Sequence, residues 1–388
     1  MNKHLIYTLF MVGLIGNLFA QKPYFQQEVH YKIDVTLNDR AHTLTGSVEM
    51  EYINHSPDTL DFIYIHLWGN AYQSRNTAFA RQQARVGDTK FYFAKDQDLG
   101  GYSGLSFTVA GQATDLTLQK DNPDIGILQL PQPLAPGART TIRTPFKLKI
   151  PASFSRLGHV EESYQITQWY PKPAVYDREG WHPMPYLDMG EFYSEFGSFD
   201  VSITLPDNYV VGATGVLQTE SERTFLQQKM EESNRLLQSD APRPTDEEGF
   251  PRSSNTLKTI RYTAENVHDF AWFADKRFYV QKSAVTLASG RTIGTWVLFT
   301  DFERKLWKDA IGYVNRAVEF YSELVGEYPY PQATAVQSAL SAGGGMEYPM
   351  ITVIGPASTA KALDIVITHE VGHNWFYGIL GSNERDHA

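Results

Sequence analysis

The sequence predicts an α+β protein in which a β-rich N-terminal part precedes a part where strands and helices alternate. Between residue 30 and about residue 205, short runs of alternating apolar and polar residues are separated by turn signals, which is typical of antiparallel strands. After residue 281, an apolar strand leads into an amphipathic helix, further strands and a second, largely apolar helix. We therefore expect an antiparallel β-sandwich or saddle of sheets, followed by the N-terminal part of an α/β domain.

The composition is that of an ordinary globular protein with two or three domains. Of its 388 residues, 42% are hydrophobic and 20% are charged. The formal net charge of −10 argues against non-specific binding of nucleic acids, which requires a basic face. We predict a β-rich domain at residues 21–280 and a second domain at residues 281–388, with a polar, partly helical insertion at residues 219–255.

The first twenty residues have the pattern of a secretory signal peptide. Lys3 precedes a largely apolar stretch, and the small residue Ala20 stands before a polar segment. Cleavage after Ala20 would give a protein located outside the cytoplasm, in the periplasm, at the cell surface or secreted. The alternative is an uncleaved anchor, although the apolar stretch is short for a membrane span. No other stretch is apolar enough to cross a bilayer, and the absence of cysteine excludes disulfides and a lipidated cysteine.

Strands are expected where alternating or continuous apolar runs lie between turn-forming residues. The predicted strands cover residues 31–37, 48–52, 60–67, 125–130, 142–150, 199–205, 257–263, 278–287, 292–298, 333–340 and 350–354. Helices are expected at residues 223–237 and 360–380, and a third is expected after residues 300–303, which have the pattern of a capping box. The apolar positions of that third helix recur at helical spacing, so they should face a core.

Residues 165–199 are rich in aromatic side chains, prolines and glycines. We interpret them as a loop that packs between sheets or domains, rather than as rings that each contact a ligand. As a group, these rings could still form the wall of a cleft.

The predicted helix at residues 360–380 contains the sequence His-Glu-Val-Gly-His, from His369 to His373. Side chains four residues apart lie on one face of a helix, so both imidazoles can bind the same metal ion. Glu370 lies beside that face and can reach a metal-bound water. Zinc lowers the pKa of such a water to about 7, and a carboxylate can then accept its proton, which is chemistry that hydrolyses peptide bonds. The alternative is a buried helix whose two histidines only satisfy hydrogen bonds.

A glycine-rich segment precedes this helix. Residues 343–345 are three consecutive glycines, and Met346 and Glu347 follow them. Glycines allow another backbone to approach closely, and a carboxylate beside them is suited to accept hydrogen bonds from a positively charged group. By itself, the segment could also be a glycine-rich turn with a surface glutamate.

Together, the two segments resemble the aminopeptidase N family of gluzincin zinc metallopeptidases, to which leukotriene hydrolase also belongs. Members of that family carry Gly-x-Met-Glu-Asn on an edge strand ahead of His-Glu-x-x-His, and Gly344, Gly345, Met346 and Glu347 match that pattern. The resemblance implies that Glu347 binds the free α-amine of a peptide substrate. It also implies that the three residues before Glu347 pair with the peptide backbone as an added strand.

The resemblance extends to the fold and to a second part of the chain. It implies a β-rich N-terminal domain followed by a thermolysin-like catalytic domain. Thr167 and Gln168 are similar to a Thr-Gln pair of the family, whose Gln lines the pocket for the first residue of the substrate. The family binds one zinc ion, which here would lie on His369 and His373.

The third zinc ligand is missing from this pattern. Metzincins use a further histidine, but Ile379 stands at its position, so that class is excluded. In the family resembled, a glutamate further along completes the site, and its position lies beyond residue 388. We therefore expect a fragment of a longer enzyme that binds zinc weakly and is weakly active or inactive as it stands.

Two other functions remain open on the sequence alone. Tyr348 and Pro349 replace the family's usual Asn after Glu347, which leaves an endopeptidase of the same fold as an alternative to an aminopeptidase. A non-catalytic protein that holds peptides without cutting them is the alternative from another class.

Overall fold

The computed structural model describes residues 24–239, 250–339 and 344–387. Over these residues the chain forms several β-sheets and a small number of helices, so the predicted α+β class is confirmed. The predicted signal peptide at residues 1–20, residues 240–249 of the predicted insertion and Gly343 of the glycine run lie outside the described residues.

The N-terminal part consists mainly of strands. In chain order they are β1 (Glu28–Asn38), β2 (Thr43–Ile53), β3 (Leu60–His66), β4 (Gly101–Ser103), β5 (Thr108–Val109), β6 (Gln112–Ala113), β7 (Leu116–Leu118), β8 (Ile125–Leu134), β9 (Arg139–Lys149), β10 (Gly158–Val160), β11 (Ser163–Ile166), β12 (Lys172–Pro173), β13 (Val175–Asp177), β14 (Gly180–His182), β15 (Gly197–Pro206), β16 (Val210–Ala213), β17 (Val216–Leu217), β18 (Leu257–Val267) and β19 (Trp272–Asp275). The largest sheet has the order β17-β18-β15-β1-β2-β9-β5-β6, with β4 also paired to β9. Smaller sheets have the orders β10-β11-β19-β16 and β12-β3-β8-β7, and β13 pairs with β14.

Strand β1 lies near the centre of the largest sheet. Its odd-numbered residues from Val29 to Leu37 are buried, which agrees with the alternation that predicted the strand. It pairs antiparallel with β2, with Tyr31 opposite Met50. Its other edge pairs parallel with β15, with Tyr31 beside Phe199. At this pair the parallel arrangement departs from the antiparallel strands that the sequence predicts, since β15 comes from a distant part of the chain and not from a hairpin with β1.

The C-terminal part is built on one further sheet. Its strands are β20 (Tyr279–Thr286), β21 (Thr292–Phe299), β22 (Gln332–Gln337), β23 (Gly345–Tyr348) and β24 (Ile351–Ile354), in the order β20-β21-β22-β24-β23. Strands β21, β22 and β24 are parallel to one another, and β23 is antiparallel to β24. Among the described residues, β23 has a strand neighbour on one side, so it forms an edge of the sheet. The predicted domain boundary at residue 281 lies just inside β20 and stays a prediction.

The helices are α1 (Ala78–Arg85), α2 (Glu220–Ser239), α3 (Arg304–Trp307), α4 (Ala310–Leu324) and α5 (Ala360–Gly372), with short 3-10 turns at Trp68–Tyr72 and Asp96–Asp98. Helices α4 and α5 pack against each other and against one face of the C-terminal sheet. On that face, Thr295 of β21 donates a hydrogen bond of 2.6 Å to the side chain of Asn315. No helix in the described part of the chain is both long and apolar enough to span a membrane.

Two helix ends differ from the prediction. The expected capping box at residues 300–303 does not form, because the backbone N–H and the hydroxyl of Thr300 both donate to Gln337 Oε1, at 2.9 and 3.0 Å. The long helix therefore starts at Ala310, after the single turn of α3. The predicted helix at residues 360–380 ends already at Gly372, and turns follow it.

Candidate active site

Helix α5 carries the candidate metal ligands. The hydroxyl of Thr359 caps its first turn by accepting a hydrogen bond of 3.1 Å from the N–H of Ala362. Leu363, Ile367 and Val371 recur at a spacing of four residues and are buried, so they fix the face that packs on the sheet. His369 is exposed on the last turn, and His373 directly follows Gly372, the last helical residue.

The two imidazoles converge. His369 Nε2 and His373 Nε2 lie 3.2 Å apart. Two nitrogens bound to one tetrahedral zinc at about 2.0–2.1 Å are separated by about 3.3 Å. The pair therefore fits two corners of a zinc site without rearrangement, and zinc is the metal that this donor type favours.

Glu370 points into the space beside these histidines. Only 5% of Glu370 is exposed, and its Oε2 has no hydrogen-bond partner among the described residues. Its carboxylate lies directly against the backbone of Gly345, where a Cβ atom would overlap the carboxylate. A glycine at position 345 is thus required by Glu370 itself, in addition to any close approach of a substrate.

Burial, followed by the charges of Glu347 and Glu191, raises the pKa of Glu370 to about 8, while Arg156 acts in the opposite direction. A divalent cation on the two histidines would favour the charged form of Glu370, which is the form that a general base needs.

Glu347 is close to the same point. Potential metal-binding atoms of Glu347, Glu370 and His373 all lie within 4.8 Å of one another. Among the described residues, no other set of three or more His, Cys, Asp or Glu side chains is arranged in this way. An ion could therefore also bind to the two carboxylates and His373. The two histidines fit zinc better than this trio does, because their Nε2 atoms already have a zinc-like separation and because nitrogen is a preferred zinc ligand. Burial raises the pKa of Glu347 above its ordinary value.

The predicted substrate-binding strand is short and lies at the sheet edge. Met346 is buried, and its carbonyl accepts a hydrogen bond of 3.0 Å from the hydroxyl of Thr352. Gly344 is exposed, and its carbonyl accepts a hydrogen bond of 2.9 Å from the N–H of Gly355. A Cβ atom at Gly344 would meet no atom within 4 Å, in contrast to Gly345.

Gln168 reaches this strand from the N-terminal part. Its Oε1 accepts a hydrogen bond of 3.1 Å from the hydroxyl of Tyr348, and only 2% of the residue is exposed. The backbone φ of Gln168 is 48°, a value that residues other than glycine rarely adopt. In this structure Gln168 contacts the back of the strand, and its role in a substrate pocket stays a prediction.

Asn374 fixes the helix relative to the strands. Its Oδ1 accepts a hydrogen bond of 3.1 Å from the N–H of Met350, and its Nδ2 donates a hydrogen bond of 3.1 Å to the carbonyl of Val371. The turn between β23 and β24 is therefore tied to the end of α5, beside His373.

Three charged residues near the site were not assigned a role from the sequence. Arg156 is nearly buried, donates 2.9 Å to Glu191 and lies over the ring of Phe192, 5.0 Å from its centroid. Burial, followed by Glu347 and Glu191, raises the pKa of Glu384 to about 7. No local motif marks Arg156 or Glu191, because their contact depends on the packing of the aromatic stretch.

The comparisons with known proteins give structural matches. No family model matches the sequence, and neither does any curated protein. An M1 zinc metallopeptidase from Deinococcus radiodurans, in a mutant form, has a TM-score of 0.56 and 16% sequence identity, over 92% of this chain and 66% of its own. A two-domain M1 zinc metallopeptidase mutant bound to L-arginine gives 0.57 and 15% over the same shares. A Deinococcus radiodurans mutant bound to a Tyr-Ser-Ala substrate gives 0.56 and 15%, again over 92% and 66%.

These matches confirm the fold that the sequence resemblance implied. Over 92% of its length the chain has the fold of M1 zinc metallopeptidases, which is the aminopeptidase N-like fold. The chain spans about 66% of the length of these structures.

Proposed function

We propose that the chain carries the zinc-binding and amine-binding part of a metallopeptidase that removes residues from free N-termini of peptides. The observation that carries this proposal is the approach of Glu347, on an edge strand, to within 4.8 Å of Glu370 and His373. An M1 peptidase fold and the Tyr-Ser-Ala substrate bound to one similar structure support peptides as the substrate class.

In the proposed reaction, Glu347 pairs with the ammonium group of the substrate, and the edge of β23 pairs with its backbone. Zinc bound to His369 and His373 would polarise the scissile carbonyl and lower the pKa of the attacking water. Glu370 accepts a proton from that water as the water oxygen attacks the carbonyl carbon. Glu370 then donates the proton to the leaving nitrogen as the C–N bond breaks.

The first test is Glu370→Gln in the complete protein. We expect zinc content to be unchanged and turnover to fall by at least about 10³-fold, because the amide cannot accept the proton. Glu265→Gln, an exposed residue of β18, is the matched control and should behave as wild type. Turnover that survives Glu370→Gln would disprove the assignment.

A second test separates an aminopeptidase from the alternatives. A fluorogenic aminoacyl substrate with a free amine should be cleaved, and the same substrate with an acetylated amine should not, because Glu347 then has no ammonium to bind. Equal cleavage of both would support an endopeptidase. Peptide binding without cleavage, in protein with full zinc content, would support a non-catalytic binding protein.

Two further expectations belong to this proposal. The third zinc ligand would come from a carboxylate beyond residue 388. We also propose that the protein is located outside the cytoplasm, as expected from the signal peptide pattern of residues 1–20.

A further inference from the structure

A cavity of about 250 Å³ lies between helix α2, strand β17 and strands β21 and β22. We call it the seam cavity, because it follows the junction of the largest N-terminal sheet and the C-terminal sheet. It continues inward into a narrower space of about 40 Å³. Both parts are lined by Leu217, Leu226, Trp296 and Gln332.

The seam cavity lies on the opposite face of the C-terminal sheet from the candidate active site. Thr295 of β21 faces helix α4, where it bonds to Asn315. Neighbouring residues of a strand point to opposite faces, so Gly294 and Trp296 point away from α4 and into the cavity. None of the residues that line the cavity belongs to the candidate zinc or amine site.

The inner end of the cavity is apolar. It is lined mainly by aliphatic and aromatic side chains, among them Val211, Tyr262 and Leu298. A Cβ atom added to Gly294 would approach Trp296 Nε1 at 3.7 Å and the carbonyl of Pro331 at 3.8 Å, with nothing closer. The missing side chain of Gly294 therefore leaves open the space in which a ligand could lie.

The mouth of the cavity carries positive charge. Lys282 lies at the rim, with its Nζ 4.7 Å from the centroid of the Trp296 ring. Among the residues that the structure describes, no carboxylate forms an ion pair with Lys282. Arg223 also lies at the rim, but it forms an ion pair of 2.9 Å with Glu220. Lys282 is therefore a cation at the entrance of an apolar cavity, without a carboxylate partner in the described part of the chain.

Size and charge together define the ligand. An apolar cavity of about 150 Å³ is enough to hold benzene, so the seam cavity has room for an aryl group or a medium-length acyl chain. An amino acid or a peptide would bring an ammonium group close to Lys282, which is unfavourable. We propose that the seam cavity binds a small amphipathic monocarboxylate, with its apolar tail against Leu226 and Trp296 and its carboxylate at Lys282.

The test is isothermal titration calorimetry with octanoate below its micellar concentration, alongside octanol and octylamine. Octanoate should bind saturably at one site, more tightly than octanol, while octylamine should bind least. Lys282→Gln should weaken octanoate binding about two- to fivefold, as expected for one exposed ion pair. Lys147→Gln, an exposed lysine of β9, is the charge-matched control and should leave binding unchanged.

Gly294→Val provides the second variant. Valine is favourable in a strand, and its side chain would fill the space beside Trp296, so saturable octanoate binding should be lost while the melting temperature stays close to wild type. Three results would each overturn the proposal: no saturable binding of octanoate, binding that Gly294→Val leaves intact, or octylamine that binds as tightly as octanoate.

Discussion

Gly345 and Glu370 depend on each other within the candidate active site. The carboxylate of Glu370 occupies the volume in which a side chain of residue 345 would begin. One of its oxygens has no hydrogen-bond partner among the described residues, so packing rather than bonding fixes its position. The orientation of the proposed general base is therefore set by a residue that has no side chain.

Gly345→Ala should consequently impair catalysis without loss of zinc. The added methyl group displaces the Glu370 carboxylate, and a misplacement of about 1 Å can cost about 10²-fold in rate. Steady-state kinetics with zinc content measured in parallel would check this. Gly312→Ala, in helix α4 and outside the candidate site, is the matched control, because its Cβ would meet only the Arg316 side chain, at 3.6 Å. Equal activity of the two variants would show that Glu370 is not held by Gly345.

Single residues differ in how well the sequence predicts them. The convergence of His369 and His373 could be predicted, because residues four apart lie on one face of a helix, and Glu370 was expected beside that face. Glu347 could be predicted from its place after the glycines, together with a family resemblance. Arg156 and Glu191 could not, because their ion pair joins two loops that only the packing around Phe192 brings together.

At the level of elements, strand β23 is held from two directions. Its backbone pairs with β24, with Glu347 opposite Thr352. From the N-terminal part, Gln168 accepts the hydroxyl of Tyr348 at 3.1 Å. The side chains of Glu347 and Tyr348 point to opposite faces, so the strand presents one to the candidate site and anchors itself by the other. The tyrosine that replaces the family's usual Asn thus has a structural contact of its own.

Tyr348→Phe should loosen this anchor. The change leaves the buried Oε1 of Gln168 without its donor, which costs about 1–3 kcal/mol of unfolding free energy. Chemical denaturation measures this cost, and Tyr92→Phe, at an exposed tyrosine, is the control with the same chemical change. A free energy of unfolding that equals wild type would exclude the Gln168 bond as an anchor.

Element boundaries show where the sequence stops being sufficient. The strand at residues 292–298 was predicted to within one residue, because its apolar run has clear ends. The helix that begins at Ala360 was predicted eight residues too long. Its apolar pattern continues past Gly372, but the side chain of Asn374 bonds to the carbonyl of Val371 and to the N–H of Met350. The bond to Met350 is a tertiary contact, so the sequence near the helix gives no signal for it.

At the level of the whole molecule, Asp124 links the aromatic stretch to the N-terminal sheets. Its backbone carbonyl accepts a hydrogen bond of 2.8 Å from the N–H of Leu67, and its Oδ2 accepts one of 2.7 Å from the N–H of Tyr186. The residue is fully buried, and burial raises its pKa from 3.8 to about 6.

This shift predicts a pH-dependent stability. A carboxyl group whose pKa is higher in the folded state contributes stability that is fully present below about pH 4 and is lost as the pH rises through about 6. The loss amounts to about 3 kcal/mol, because one pKa unit corresponds to about 1.4 kcal/mol. In urea denaturation between pH 4 and pH 7, the free energy of unfolding should therefore fall by about 3 kcal/mol more in wild type than in Asp124→Asn. Parallel pH profiles for the two proteins would contradict it.

The parallel pairing of β1 with β15 has a consequence for the time at which the protein can fold. The partner of Tyr31 on that edge, Phe199, is synthesised about 170 residues later. At roughly 5–20 residues per second, this corresponds to roughly 10–30 s. Strand β2 covers one edge of β1 almost at once, but the other edge stays open during that interval. A nascent chain that stalls before residue 206 would therefore display an unpaired, half-apolar strand to its neighbours, which is a route to aggregation that the finished sheet no longer offers.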